Sequence, residues 1–326
     1  MSQTVKAVQL TSFGGPEVMK LVDVTVGDPG PGQARVRHHA IGLNFIDIYQ
    51  RLGVYPNALP AVLGMEGAGV VEAVGPGVSH IKPGDRVAYA NNPMGSYAES
   101  RVMPAWVLVK IPKAISFEVG ASMMLKGATA HYLFKRTANL QKGHTVLFHA
   151  AAGGVGLIAM QLAKLMGVTI IGTVGSDDKA KLAKKWGCTH TINYAKENFV
   201  DRVKEITKGR GVDVVYDSVG KDTFQGSLDC LRRYGLMVSF GNASGKVPPV
   251  DFAVMKGSLF ITRPSLMAYT STREDLELTA NDLVKMVASK KLVIPVERTY
   301  KLADVQQAHR DLEGRKTTGC SVLIPE

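Results

Sequence analysis

The chain has 326 residues, 45% hydrophobic and 21% charged, with a formal charge of +11. That length makes two domains the expectation, and no run approaches the roughly 18 to 20 unbroken apolar residues that a membrane-spanning helix needs. The opening MSQTVKAVQL shows no basic region followed by an apolar stretch, so the cytoplasm is the expected compartment. Cys188, Cys230 and Cys320 are too scattered to suggest a disulfide framework or a zinc cluster.

Through the first hundred residues, VKAVQL, ARVRHHAIGL, GAGVVEAVG and DRVAYA are short strand-like runs. GGPE, DPGPGQ, GPGVSH and KPGDR punctuate them as turns. A small, irregular, mostly antiparallel β barrel is expected there.

Near residue 125 the pattern changes to strands alternating with helices. TVLFHA precedes VGLIAMQLAKLMG, TIIGTV precedes DDKAKLAKKWG, and HTINY precedes ENFVDRVKEITKG. VDVVYDS then precedes KDTFQGSLDCLRRYG, LMVSFGN precedes a short helix, and SLFITRPS closes the series. Strands that are apolar throughout, rather than alternating, are those of a parallel sheet covered on both faces; right-handed crossovers make it doubly wound. After residue 266, a long helix over about 272 to 289, YKLADVQQAHRDLEG and the strand GCSVLIP do not extend that series. They are expected to return to the first domain, giving domains of 1–125 with 266–326, and 126–265.

Between the first strand and helix of the parallel sheet stands HAAAGGVG, residues 149–156. Ala151, Gly153 and Gly156 have the spacing of G-x-G-x-x-G, with alanine in the first slot. Bare backbone at Ala152, Gly153, Gly154 and Val155 is expected to approach a pyrophosphate seated on the helix N-terminus, while Gly156 lets the helix pack closely. An NAD-binding sheet usually carries a carboxylate at the end of the second strand. Here Val174 and Gly175 hold that point, followed by Ser176 and Lys179, so NADPH is expected over NADH. Asp177 and Asp178 are read as helix N-cap and first-turn residues.

GMEGAGVVEAVGPGV followed by IKPGDRV resembles the medium-chain alcohol dehydrogenase and reductase superfamily, and the resemblance covers essentially the whole chain. Zinc-dependent members supply a Cys just after the third strand and a His-Glu pair inside that glycine motif. Asn44 and Met65 stand at the Cys and His positions, and NNPMGSYA passes straight through where a four-cysteine lobe would lie. Neither side chain suits catalytic zinc, so no metal is expected. GHTVLFHAAAGGVGLIAMQLAK, NFIDIYQRLGVYP, VVYDSVG, LMVSFGN and SLFITRPS resemble the zinc-free quinone oxidoreductase and zeta-crystallin branch.

That resemblance implies an α/β protein: a GroES-like β barrel plus a doubly wound parallel (Rossmann) sheet, reducing quinones with NADPH. It implies that Asn44, Asp47, Tyr49, Tyr55, Lys126 and Thr129 serve catalysis, with Asn44 and Thr129 also near the nicotinamide. Lys179, Tyr194 and Arg315 form the implied 2′-phosphate pocket. Ser218, Phe240, Gly241 and Asn242 meet the cofactor from the carboxyl ends of later strands, beside Gly220, and Arg263 either reaches the cofactor or supports the dimer. A homodimer through the outer sheet edge is implied, with SLFITRPS as the edge strand. His38, His39, His149 and His190 show no metal spacing and read as structural or solvent-facing. An NADPH-dependent enone or alkenal reductase is the nearest alternative, since a quinone is itself a conjugated enone. Nucleic-acid binding is a different class that the net charge allows, but no recognised binding module or stacking aromatic array supports it.

Overall fold

The glycine- and proline-punctuated first third folds as a run of short strands. A computed structural model describes residues 2–55, 57–91 and 93–325. The chain divides into two units, one ending at Ala128 and resuming at Thr270, the other Thr129–Tyr269.

In the first unit, β1 (Gln3–Leu10) pairs antiparallel with β2 (Met19–Val26), and β3 (Gln33–Leu43) leads into α1 (Phe45–Arg51). Next come β4 (Ala61–Val62), β5 (Glu66–Val74), β6 (Arg86–Ala90), β7 (Ser100–Pro104) and β8 (Val109–Lys110). Helix α2 (Phe117–Met123) follows, and then α3 (Lys126–Tyr132), whose residues from Thr129 on belong to the second unit. Strand β1 lies between β2 and β4 in a three-stranded sheet, while β3, β5, β6 and β8 run side by side in a larger one, with β7 also on β3.

The second unit is a six-stranded parallel sheet built from β9 (Thr145–Phe148), β10 (Thr169–Val174), β11 (His190–Asn193), β12 (Val212–Asp217), β13 (Leu231–Ser239) and β14 (Phe260–Thr262). Its order is β11-β10-β9-β12-β13-β14, so chain direction across the sheet reverses between β9 and β12. Ligands collect at such a switch point in open α/β sheets. The connections carry α4 (Gly154–Met166), α5 (Asp177–Lys185), α6 (Phe199–Ile206) and α7 (Phe224–Asp229). Leu147, Ile171, Ile192, Val215 and Met237, one from each of five strands, form the core with Val203, Phe224 and Leu228. Apolar strands are legible here because both faces of the sheet are covered.

Two local readings differ from the sequence expectation. KDTFQGSLDCLRRYG is helical only as far as Asp229; Leu231 pairs with Val212, and Tyr234, at φ 61°, turns the chain where a helix cannot continue. The connection from β13 to β14 holds only a three-residue 3₁₀ turn, Phe252–Val254.

After α8 (Leu266–Tyr269), α9 (Arg273–Ala288) begins at Thr272, whose side chain accepts from the Asp275 amide. Then β15 (Val296–Lys301), α10 (Val305–Glu313) and β16 (Cys320–Ile324) complete the first unit. Strand β16 pairs antiparallel with β3, Leu323 against Ile41. Leu302, Val305, Ala308 and Leu323 share one core with Val8, Leu10, Ile41, Leu43 and Tyr97.

Candidate active site

At the end of β9 the chain turns through Ala150 at φ 56°, held by Ala151 N–H donating to Thr173 O at 3.0 Å. Gly153 is the N-cap of α4 and offers no side-chain acceptor to the first turn. Those amides are left to an external anion. A Cβ on Gly156 would fall 2.5 Å from Ala151 O, so only glycine lets the helix start this close to the turn. Ala152, Gly153, Gly154 and Val155 therefore stand together on the loop and first turn, as a pyrophosphate seat requires.

His149, read from sequence as structural, braces this turn. Ser227 Oγ donates to Asp217 Oδ2 at 2.8 Å, which leaves its lone pairs to accept from His149 Nε2 at 3.0 Å. His149 Nδ1 then accepts from Thr173 Oγ1 at 2.9 Å. Burial lowers the His149 pKa and keeps the ring neutral, as that direction of bonding demands. Asp217 also accepts from the amides of Val219 and Gly220 and from Thr223 Oγ1. One buried network thus ties the glycine turn to the turn that carries Ser218.

At the ends of β10 and β11, Gly175, Ser176, Lys179 and Tyr194 converge. Tyr194 N–H donates to Val174 O, and its hydroxyl lies 2.6 Å from where a Cβ on Gly175 would sit. Ser176, rather than Asp177 or Asp178, is the N-cap of α5, accepting from the Lys179 amide at 3.3 Å. Asp177 accepts from Lys196 Nζ at 2.6 Å and Asn193 Nδ2 at 2.8 Å, and the lysine bond holds its pKa below the usual value. Its charge is thereby offset rather than aimed at the cradle. Lys179 is half-buried and Tyr194 is 46% exposed, so both keep an open face. Arg315, at φ 56°, is exposed and belongs to the other unit.

Ser218, Phe240, Gly241, Asn242 and Arg263 gather at the carboxyl ends of β12, β13 and β14. Phe240 N–H donates to Asp217 O at 2.8 Å and Ala243 N–H to Ser218 O at 3.1 Å, locking the two turns together. With its amide turned to suit both neighbours, Asn242 accepts from Arg263 Nη2 and donates to Gly241 O, each at 2.9 Å. A glycine-bearing backbone, an uncapped helix end and the Gly175 cradle fit a phosphorylated dinucleotide.

In the first unit, Asn44 follows β3 and caps α1, and its amide is held at both its nitrogen and its oxygen. Nδ2 donates to Glu66 Oε2 at 2.9 Å, and Oδ1 accepts from Lys126 Nζ at 2.6 Å. Lys126 is buried and also donates to Leu43 O at 3.0 Å. Glu66, which sequence reading passed over, is fully buried; burial raises its pKa, with Lys126 opposing. Its sequence signal was a carboxylate in the otherwise apolar GMEGAGVV, at the Glu position of the family's His-Glu pair where Met65 replaces the histidine.

Asp47 is also fully buried, and burial pushes its pKa up to about 7 against the Tyr97 and Asn44 hydrogen bonds. Its Oδ2 accepts from the Asn44 amide and from Tyr97 Oη, both at 2.8 Å. Tyr97 Oη accepts from His309 Nε2 at 3.1 Å, and His309 Nδ1 accepts from Arg51 Nη1 at 3.1 Å. Arg51 only donates, which fixes this direction for a neutral ring; burial holds the His309 pKa at about 3. Tyr49 and Tyr55 meet edge to face at 5.6 Å. Tyr49 is half-buried and Tyr55 is 37% exposed. Thr129 is buried and hydrogen-bonded to Tyr132.

Residues 30–113 match the alcohol dehydrogenase GroES-like domain, and residues 154–285 match the zinc-binding dehydrogenase domain. The donor set nevertheless does not fit a catalytic zinc. Asn44 is committed to Glu66 and Lys126, and Met65 Sδ accepts from Gln50 Nε2 at 3.0 Å. Among the described residues, no three His, Cys, Asp or Glu side chains gather to hold a metal ion, and no helix is long and apolar enough to cross a membrane.

The chain is 50% identical over 323 residues to a quinone oxidoreductase of Pseudomonas aeruginosa, covering 98% of this chain and 99% of that one. It is 45% identical to a 2-haloacrylate reductase of Burkholderia, covering 99% of each. Among solved structures, the Escherichia coli quinone oxidoreductase complexed with NADPH matches with a TM-score of 0.96 at 49% identity, covering 98% of this chain and 100% of that one. On its GroES-like domain, its parallel sheet and 50% identity along nearly its whole length, the chain belongs to the quinone oxidoreductase family of the medium-chain dehydrogenase/reductase superfamily.

Proposed function

We propose that the chain is an NADPH:quinone oxidoreductase that works without zinc. The observation that carries this reading is 50% identity, over 98% of the chain, to a protein named quinone oxidoreductase. NADPH supplies a hydride when bound, so that NADPH, a quinone and one proton become NADP⁺ and a hydroquinone. A quinone is already an activated acceptor, and the protein has mainly to hold it and solvate the growing oxyanion.

The Ala152–Val155 backbone and the uncapped end of α4 take the pyrophosphate. Gly175, Ser176, Lys179 and Tyr194 take the 2′-phosphate, a role that the resemblance also implies for Arg315. Ser218, Phe240, Gly241, Asn242 and Arg263 take the carboxamide side. Asn44 serves both the nicotinamide and the acceptor carbonyl, and Thr129 serves the nicotinamide end. Tyr49 and Tyr55 flank the quinone, and Lys126 adds positive charge. Asp47 supports Asn44 from behind through the cap of α1. Residues 1–125 with 266–326 form the catalytic domain, and 126–265 form the NADPH-binding domain.

A second reading, reduction of an activated carbon–carbon double bond, draws on the 45% identity to 2-haloacrylate reductase. Steady-state rates on benzoquinones, linear alkenals and haloacrylates separate the two. Quinone turnover is expected to dominate; strong alkenal or haloacrylate turnover without quinone turnover overturns the first reading.

The same reading includes a cytoplasmic homodimer. Strand β14 is an edge of its sheet, with Phe260 60% and Ile261 37% exposed along it. An apolar edge of that kind favours pairing with a second copy. Sedimentation at micromolar concentration is expected to give twice the chain mass.

A further inference from the structure

Glu66 has no part in the reading above, yet it holds both polar groups assigned to the acceptor end. Oε1 accepts from the Leu125 amide at 2.7 Å and Oε2 from Asn44 Nδ2 at 2.9 Å, with Lys126 Nζ 3.6 Å away. Strand β3 makes room for it: a Cβ on Gly42 would fall 2.3 Å from Oε2.

This arrangement gives the Asn44 amide one orientation. Nδ2 must face the carboxylate, so Oδ1 faces Lys126 Nζ at 2.6 Å. Lys126 is then held by an amide oxygen, the Leu43 carbonyl and the Glu66 charge, and its side chain is 9% exposed. A charge fixed before reaction in a site poor in water stabilises developing charge far more than a mobile, hydrated one.

We infer that Glu66 is a positioning residue of the acceptor site: it sets the polarity of the Asn44 amide and thereby anchors the Lys126 ammonium beside the oxyanion formed on the acceptor. The inference rests on the reading that Asn44 and Lys126 serve that acceptor. Glu66 itself touches neither acceptor nor cofactor.

The test uses polarity. Glu66→Gln keeps the volume, but one amide cannot accept from both Asn44 Nδ2 and the Leu125 N–H. Adding Asn44→Asp restores every bond with the polarity reversed: the new amide donates to the new carboxylate, which accepts from Lys126. Net charge is also restored. Turnover of a benzoquinone is counted per NADPH-binding site, titrated by nicotinamide fluorescence, so that unfolded protein drops out. Acylation of Lys126 by acetic anhydride, read by mass spectrometry, reports on the anchor without any turnover.

In Glu66→Gln, kcat is expected to fall about 30-fold or more, part of the roughly 10²–10³-fold cost of losing one oxyanion-stabilising group outright. NADPH affinity is expected to stay within about twofold, and Lys126 becomes reactive. The double variant protects Lys126 again. Per-site kcat within about threefold of the parent in the single variant, or a double variant whose Lys126 stays as reactive as in the single, overturns the inference. Absence of quinone-dependent NADPH oxidation by the parent chain overturns the functional reading instead, and Lys126 protection still reports whether Glu66 anchors it.

Discussion

Tyr194 overhangs Gly175: its hydroxyl occupies the space, 2.6 Å away, that a side chain at position 175 would need. The ring is nearly half exposed, and its backbone is tied to the end of β10 through Val174 O. Gly175→Ala must displace Tyr194. NADPH affinity measured by fluorescence titration is expected to fall about tenfold or more, the value of one charge-assisted contact. Unchanged affinity with Tyr194 still in place contradicts the cradle.

Asp47 gives the first unit a pH signature. Burial raises its folded pKa to about 7 from the 3.8 of an exposed aspartate. Between those values the folded state holds more protons than the unfolded one, so this contribution to stability is lost as pH rises and is fully spent above pH 7. Buried neutral His38 and His309, held at about 4 and 3, run the other way and weaken the fold as pH falls below the histidine range. They cancel when the parent is compared with Asp47→Asn. Denaturant titrations at pH 5 and pH 8 are expected to show the parent losing about 2.5 kcal/mol relative to that variant. A difference independent of pH contradicts the burial argument.

Arg51 and Glu313 join α1 to α10 by two hydrogen bonds, 3.0 Å from Nη1 and 2.6 Å from Nη2. The Arg51 side chain is 1% exposed and also donates to Gly14 O and His309 Nδ1. Glu313→Gln leaves a buried guanidinium without its counter-charge, at a cost of about 3 kcal/mol. Thermal unfolding is expected to shift down by several degrees, with NADPH affinity at 25 °C unchanged. A shift below one degree contradicts the strength assigned to the pair.

The parallel sheet was legible because its strands are apolar on both faces and its helices carry a different period. TVLF and TIIGTV could hardly be read otherwise. The glycine turn was legible because glycine at Gly153 and Gly156 is a backbone requirement, visible in the letters themselves. The Glu66 cluster was not. Asn44, Glu66 and Lys126 are separated by long stretches of chain, and nothing local in LNFID or MLKGA says that the three side chains meet. Lys126 in particular reads as a solvated helix residue until burial and three partners are seen. The end of α7 failed for a local reason: LRRYG is as compatible with a helix as with a strand, and pairing of Leu231 with Val212 decides it. Ser176 was missed as a cap because the two aspartates after it are equally good capping residues by type.

Anaerobic stopped-flow oxidation of NADPH and of NADH by 1,4-benzoquinone, followed at the nicotinamide absorbance with the parent and with Lys179→Ala, tests the account most directly. Stoichiometric hydroquinone formation is expected, with kcat/KM for NADPH at least about a hundredfold above that for NADH, and a Lys179→Ala loss of about tenfold confined to NADPH. Equal use of the two cofactors by the parent, or no quinone-dependent oxidation of either, contradicts it.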